Sequence, residues 1–307
     1  MDKSSGMIPT ILLTGFLGAG KTTLMNRLID YYNSKNTVLL INEFGQTSID
    51  GQLLKAGSYT KVELNKGSLF CICVRTDFID EVEKIATDIK PDLLIIEATG
   101  IADTSEMEKM LALPNLSAHI EVKSVICIVD CQSFYKIINF LKAPASQVRS
   151  ADLVLVNKTD LVEKVRVKET IAMVKKINGN ATVLTTTYVD FPLEILETFN
   201  HPQSNETAEP GEGRPDLVSS LTLQGNGSFT RKNWQEFIES FKNKQLRCKG
   251  FITIDKQLYQ LDCTTESWQQ IESAAQPLYH NQLVIIGQKL PLAQIEDEFY
   301  KIINRSE

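Results

Sequence analysis

No apolar run in this 307-residue sequence comes near the roughly 18 residues that a membrane-spanning helix needs, which excludes such a span from the reading. Positive charge is in the minority. The 32 Lys and Arg face 38 Asp and Glu, a net charge of −6, which argues against a generally basic nucleic-acid binder. Histidine occurs only three times, at His119, His201 and His280, and no two are spaced as a metal-ligand pair. The six cysteines, at 71, 73, 127, 131, 248 and 263, are spread too widely for a small disulfide framework. In a reducing compartment they read as free thiols or metal ligands. The start of the chain, MDKSSGMIPTILLTG, carries one Lys and a short apolar run that passes directly into a glycine-rich pattern. It reads as a first strand and not as an export signal, and the cytoplasm is the expected compartment. What is present is ordinary globular material, 43% hydrophobic and long enough for one large and one small domain.

Five short apolar runs read as buried strands: Ile11 to Leu13, Val38 to Ile41, Leu93 to Ile96, Val125 to Val129 and Leu153 to Val156. Being apolar on both faces, they fit a parallel sheet covered on both sides. Helical patterns alternate with them, at Thr22 to Tyr32, Phe78 to Ile89 and Val165 to Ile177. The alternation predicts an α/β fold, a doubly wound, mainly parallel sheet with right-handed crossovers. Between Asn200 and Asp216 the chain has almost nothing to bury and reads as a linker. Beyond it the pattern predicts a strand (Val218 to Leu223), a helix (Thr230 to Lys242) and a strand pair (Lys249 to Ile254, Leu258 to Cys263). A helix near Ser267 to Ala274, a strand (Gln282 to Ile286) and a last helix (Ala293 to Ile303) follow. The expected organisation is a first domain over 8–199, a linker over 200–216 and a smaller α+β domain over 217–305.

Gly15-Phe-Leu-Gly18-Ala19-Gly20-Lys21-Thr22 fits the phosphate-loop pattern G-x-x-x-x-G-K-[ST] at every fixed position, and Thr23 follows it. The motif sits between a strand and a helix, the context it requires. Its glycines let backbone N–H groups turn toward phosphates, and the helix N-terminus adds partial positive charge. Lys21 is placed to reach the β- and γ-phosphates, and the Thr22 hydroxyl to ligate Mg²⁺. Asn157-Lys158-Thr159-Asp160 follows the strand Leu153 to Val156. A carboxylate at Asp160 fits the two donors of the guanine edge, N1–H and the 2-amino group. Adenine would leave it desolvated and unpaired, a loss on the order of 1–3 kcal/mol per group. Asn157 and Lys158 would brace this loop and the base. Asp92-Leu-Leu-Ile-Ile-Glu97-Ala-Thr-Gly100 is an apolar strand ending in an acid. Glu97 is the acid expected to hold Mg²⁺, usually through water, with the Gly100 N–H near the γ-phosphate. The expected reaction is GTP + H₂O → GDP + phosphate. No arginine lies in the loop to speed it, so slow intrinsic turnover is expected.

Glu43, in Asn42-Glu43-Phe44-Gly45, and Asp50 lie on the loop after the second strand. Either is a candidate to orient the attacking water or to bind a second cation. Cys71 and Cys73 form the only close pair of thiols, a C-x-C that can place two thiolates on one soft metal ion such as Zn²⁺. A tetrahedral site needs further ligands, with Glu43 or a His as candidates, and two packed thiols are the alternative. Cys127, Cys131, Cys248 and Cys263 read as core thiols and Asp130 as a strand-end cap. Trp234 and Trp268 read as core residues of helices, and Arg247 and Lys249 as a solvated edge.

GFLGAGKTT, INEFG followed by ID, an ELNxG segment leading to clustered Cys, IIEATG and SADLVLVNKTDL occur in that order. Together they resemble the CobW family of metallochaperone GTPases. LRCKGFITID and NQLVIIGQKL resemble the small C-terminal domain of that family, so the likeness covers nearly the whole chain. It implies a GTPase that binds Zn²⁺, Co²⁺ or Ni²⁺ and couples hydrolysis to delivery to a client metalloprotein or corrinoid-pathway protein. By position it assigns the metal to Cys71 and Cys73, with Glu43 as helper. The sequence departs from the family's usual G-C-x-C-C, because Ser68 follows Gly67 and the pair sits later, as F-C-I-C-V. Gln46 stands where the family has an acid after NEFG, and the linker has no His-rich tract. The competing expectation is a metal-independent regulatory switch in which GTP controls docking on a partner protein and the two Cys only pack. A homodimer is compatible with either.

Overall fold

The computed structural model describes residues 6–42, 59–64, 72–139, 141–202, 218–264, 266–273 and 280–304. The described residues divide into two compact units, the first over 6–202 and the second over 218–304. Among the described residues no helix is long and apolar enough to cross a membrane.

The first unit runs β1 (Ile8–Gly15), α1 (Lys21–Tyr31), β2 (Thr37–Asn42), β3 (Tyr59–Leu64) and α2 (Ile72–Lys84), which continues into a π-helical turn at Ile85–Ile89. Then come β4 (Leu93–Glu97), α3 (Thr104–Leu111), the short α4 (Pro114–Ser117), β5 (Ile120–Asp130), α5 (Phe134–Ile137) and α6 (Ala143–Ser150). It closes with β6 (Leu153–Asn157), α7 (Lys164–Ile177), β7 (Thr182–Thr185) and a 3-10 helix at Leu193–Thr198. Seven strands form one sheet in the order β3-β2-β4-β1-β5-β6-β7, and every pairing is parallel.

The reason lies in the residues. β4 and β6 are buried at every position, so a helix must cover each face. On one face Leu12, Leu40 and Ile96 pack with Phe78, Val82 and Met107 of α2 and α3. On the other, Leu13, Leu39 and Ile95 pack with Leu24, Met25 and Leu28 of α1. From the central β1 the chain first builds outward through β2 and β3, and later through β5, β6 and β7 on the opposite side. Such a reversal of winding leaves a crevice at the carboxyl ends of the strands.

The second unit holds β8 (Val218–Gly225), α8 (Arg231–Glu239), β9 (Gln245–Ile254), β10 (Gln257–Thr264), β11 (Trp268–Glu272), β12 (Asn281–Gln288) and α9 (Leu292–Ile303). Its strands form an antiparallel sheet in the order β11-β10-β9-β12-β8. The helix expected near Ser267 to Ala274 is instead the edge strand β11, in register with β10 from Cys263↔Trp268 to Tyr259↔Glu272. A tight turn sets this up. The Thr264 N–H donates to Ser267 O at 2.7 Å, and the Ser267 N–H to Thr264 Oγ1 at 3.1 Å. Pairing with an existing strand then outweighs local helical preference. Trp268 still packs on the core, but from a strand.

Arg247 is not on a solvated edge. It pairs with Asp262 at 3.0 Å, and Lys249 is buried. Cys248 and Cys263 face each other across β9 and β10 in the apolar core. Burial pushes the Cys263 thiol up to about 12 and raises Cys248 as well, the state of inert, packed thiols. Cys127 is likewise buried and pushed up to about 12.

His201 is anchored to the first unit. Its N–H donates to Lys123 O at 3.0 Å, and its ring lies 2.9 Å from Asp152 and 3.4 Å from Glu108. Burial alone would lower its pKa, but the Asp152 hydrogen bond and charge, with Glu108 behind, hold it above the usual value. Burial raises the Glu108 carboxyl, with His201 and Ser150 pulling against it.

Two outcomes follow from this packing. Phe237 is fully buried among Phe229, Trp234, Phe241 and Phe299, with ring centroids 5.3 to 6.0 Å away. Phe237→Ala should cost the second unit about 3–5 kcal/mol in denaturant titration. The His201 contribution is complete below its unfolded pKa of about 6.5 and is lost as pH rises through the raised folded value. A raised Glu108 acts in the same direction. The melting temperature of the first unit should therefore fall as pH climbs above about 6.5, and His201→Asn should flatten that slope.

Candidate functional site

The loop between β1 and α1 is shaped by its own backbone. Gly20, which caps α1, has φ 123°, and a Cβ there would lie 2.8 Å from Asn157 Nδ2. Only glycine meets both demands. No side chain caps this helix end, where the helix dipole leaves partial positive charge. Lys21 is buried and folds back over the loop, donating to Gly15 O at 2.9 Å and Phe16 O at 3.5 Å. Thr22 is half-buried and Thr23 exposed on the first turn of α1; Gly18 is left-handed at φ 78°, and Ala19 is buried.

Glu97 ends β4 in register with Leu13 of β1 and is buried. Gly100 follows, pressed against the loop so closely that a Cβ would meet Leu17 N at 2.7 Å. From behind, buried Gln147 of α6 donates to Gly100 O and Ala102 O, both at 3.2 Å. Asp103 caps α3 through Ser105 N and also accepts from Ser146. The segment after β4 is thus gripped between the glycine loop and α6.

Asn157, at the end of β6 and buried, joins the two halves of the site. Its Nδ2 donates to Ala19 O at 2.8 Å, and its Oδ1 accepts from Thr186 Oγ1 at 3.1 Å and Val189 N at 3.0 Å. Lys158 takes a left-handed φ of 60° and pairs with Asp130 at 2.7 Å. Thr159 ties back to Thr186 O through both its N–H (3.3 Å) and its hydroxyl (3.0 Å). These anchors leave Asp160 exposed on a 3-10 turn, Thr159–Leu161, at the carboxyl end of the sheet.

The strands therefore bring Gly15, Gly18, Ala19, Gly20, Lys21, Thr22, Glu97, Gly100, Asn157, Lys158 and Asp160 to one end of the sheet. Glu43, Asp50 and Cys71 lie outside the described residues. Cys73 falls in α2, with its side chain likewise outside. Among the described residues there is no group of three or more His, Cys, Asp or Glu that could hold a metal ion.

Four participants were not read from the sequence. Asp130 is more than a strand-end cap, because it fixes Lys158. Thr186 and Val189, after β7, and Gln147 complete the bracing. The only cue for the Thr186–Val189 segment was its place after a strand of the same sheet, where loops at carboxyl ends gather.

Residues 9–185 match the family described as CobW/HypB/UreG, nucleotide-binding domain, and residues 218–303 match the cobalamin synthesis protein cobW C-terminal domain. The chain is 28% identical over 325 residues to the zinc chaperone YjiA of Escherichia coli (strain K12), covering 95% of this chain and 98% of that protein. It is 29% identical over 272 residues to the zinc-regulated GTPase metalloprotein activator 1 of Dictyostelium discoideum, covering 75% of this chain and 57% of that one. The crystal structure of Zn(II)-bound YjiA GTPase from E. coli superposes with a TM-score of 0.47 at 23% identity, over 96% of this chain and 99% of that one. By the two family matches, the chain belongs to the CobW/HypB/UreG family of nucleotide-binding domains, followed by the CobW C-terminal domain.

Proposed function

We propose that the chain is a Mg²⁺-dependent GTPase that couples GTP hydrolysis to binding a transition metal, and to its delivery to a client metalloprotein or corrinoid-pathway protein in the cytoplasm. Zn²⁺ ranks first because relatives are named zinc chaperones or zinc-regulated activators, with Co²⁺ and Ni²⁺ behind it. The observation that carries the nucleotide part is the Asn157 side chain. It fastens the phosphate loop to the turn bearing Asp160, so that one ligand can meet both.

Each residue then has a defined task. The N–H groups at Gly18 to Lys21 and the start of α1 hold the phosphates, and Lys21 exchanges its carbonyl partners for phosphate oxygens. Asp160 accepts from the guanine N1–H and 2-amino group, and Asp130 keeps Lys158 in place alongside. Thr22 and Glu97 offer a hydroxyl and a carboxylate, the hard oxygen donors that suit Mg²⁺, and Glu97 is buried where such an ion would stand beside the loop. That ion would neutralise charge on the phosphates. Asp50 or Glu43 orients the attacking water. With no arginine in the loop, intrinsic turnover is slow. Gly100 contacts the γ-phosphate through its N–H, and its loss on hydrolysis is passed to α6 through Gln147. Cys71 and Cys73 carry the metal, with Glu43 as helper.

Asp160→Asn should weaken GTP about tenfold to hundredfold and favour xanthosine triphosphate, whose 2-keto group suits an amide, as read by competition binding. Cys71→Ser with Cys73→Ser should abolish stoichiometric Zn²⁺ uptake while guanine-nucleotide affinity stays unchanged. Unaltered metal content would instead favour a metal-independent switch. In the unmodified protein, Zn²⁺ affinity should differ at least about fivefold between GDP and a non-hydrolysable GTP analogue, and equal affinities would refute the coupling.

A further inference from the structure

The helix opened by the phosphate loop also reaches the base side of the site. Arg27 of α1 donates through Nη1 to Val189 O and through Nη2 to Phe191 O at 3.0 Å. It pairs with Asp190 at 2.9 Å, and its guanidinium lies 5.5 Å from the centre of the Phe191 ring. Asp190 is 83% exposed, so that ion pair contributes little. The two carbonyl bonds matter more, because a planar fork of donors can hold two acceptors at once.

What Arg27 holds is an unusual piece of backbone. Tyr188 and Val189 are both left-handed, at φ 53° and 56°, and a β-branched residue is rare there. Such a conformation persists only where the surroundings over-determine it. Here Asn157 Oδ1 takes the Val189 N–H, Arg27 takes the Val189 carbonyl, and the Val189 side chain is buried against Gly20. The same segment gives Thr186 O to both donors of Thr159, next to Asp160. The shape of the Asp160 turn therefore depends on a loop that Arg27 clamps.

We infer that Arg27 is a positioning residue for base selection: from the phosphate-loop helix it fixes the strained Tyr188–Val189 loop, and through Thr186 and Thr159 it sets Asp160 against the guanine edge. This rests on the guanine-site reading above. Arg27's bonds run to Val189, Asp190 and Phe191, so its removal should loosen discrimination at the base and spare the phosphate loop.

Calorimetric titration of the full chain with GDP, with IDP (which lacks the 2-amino group) and with tripolyphosphate tests this. The unmodified protein should favour GDP over IDP. Arg27→Ala should compress that ratio about tenfold, with tripolyphosphate affinity unchanged, since one charge-assisted contact is lost. Arg27→Lys keeps the charge and the apolar stem but not the fork, and should compress the ratio too; it serves as the test if the alanine variant fails to fold. An intact GDP:IDP ratio in either folded variant would overturn the inference. So would GDP, IDP and tripolyphosphate all weakening in step, the mark of a merely structural role. If the unmodified protein bound GDP no better than IDP or ADP, the guanine reading itself would fall, and this inference with it.

Discussion

A single buried amide organises the described site. Asn157 has one donor group turned to the phosphate loop at Ala19 and one acceptor turned to Thr186 and Val189. Both ends of the side chain are satisfied, and an apolar or shorter residue would orphan three buried partners at once. The parallel sheet makes this possible. β1 and β6 both flank β5 and release their chains at the same end, so a residue closing β6 can reach a loop opening after β1. One side chain thereby ties the glycine loop after β1 to the segment after β7.

Around that joint the same logic repeats with weaker members. Asp130, last in β5, fixes Lys158, first after β6. Gln147 holds the segment after β4 by two carbonyls, while Gly100 fits against Leu17 with no room for a side chain. Each ties the end of one strand to a neighbouring loop or helix. A shift of Gly100 would have to move either the glycine loop or α6, because both are in contact with it. α6 in turn meets α3 through the Ser150–Glu108 bond, beside His201.

The legible part of the sequence was the part whose chemistry is local. Gly20 needs a left-handed-side φ and a close neighbour, and Lys21 and Thr22 follow it in fixed order, so the loop could be read residue by residue. The buried strands β4 and β6 announced themselves as unbroken apolar runs, and their carboxyl ends gave Glu97 and Asn157. What was missed depends on partners far away in the chain. Arg27 meets Val189 and Phe191, and Asp130 meets Lys158, through a sheet order that no short pattern encodes. β11 was read as a helix because its pairing with β10, not its composition, decides its state. The acids and thiols proposed to orient water and hold metal, Glu43 or Asp50 and Cys71 with Cys73, lie outside the described residues or have their side chains there, so their proposed roles rest on the family likeness and the residues' chemistry.

A crystal structure of the full chain with GDP and Mg²⁺ tests the central claim most directly. The account predicts the diphosphate over the N–H groups at Gly18 to Lys21, the guanine N1–H and 2-amino group on Asp160, and Asn157 still bonded to Ala19 and Val189. A nucleotide whose base edge faced away from Asp160, or an Asn157 side chain turned out of the Ala19–Val189 bridge, would contradict it.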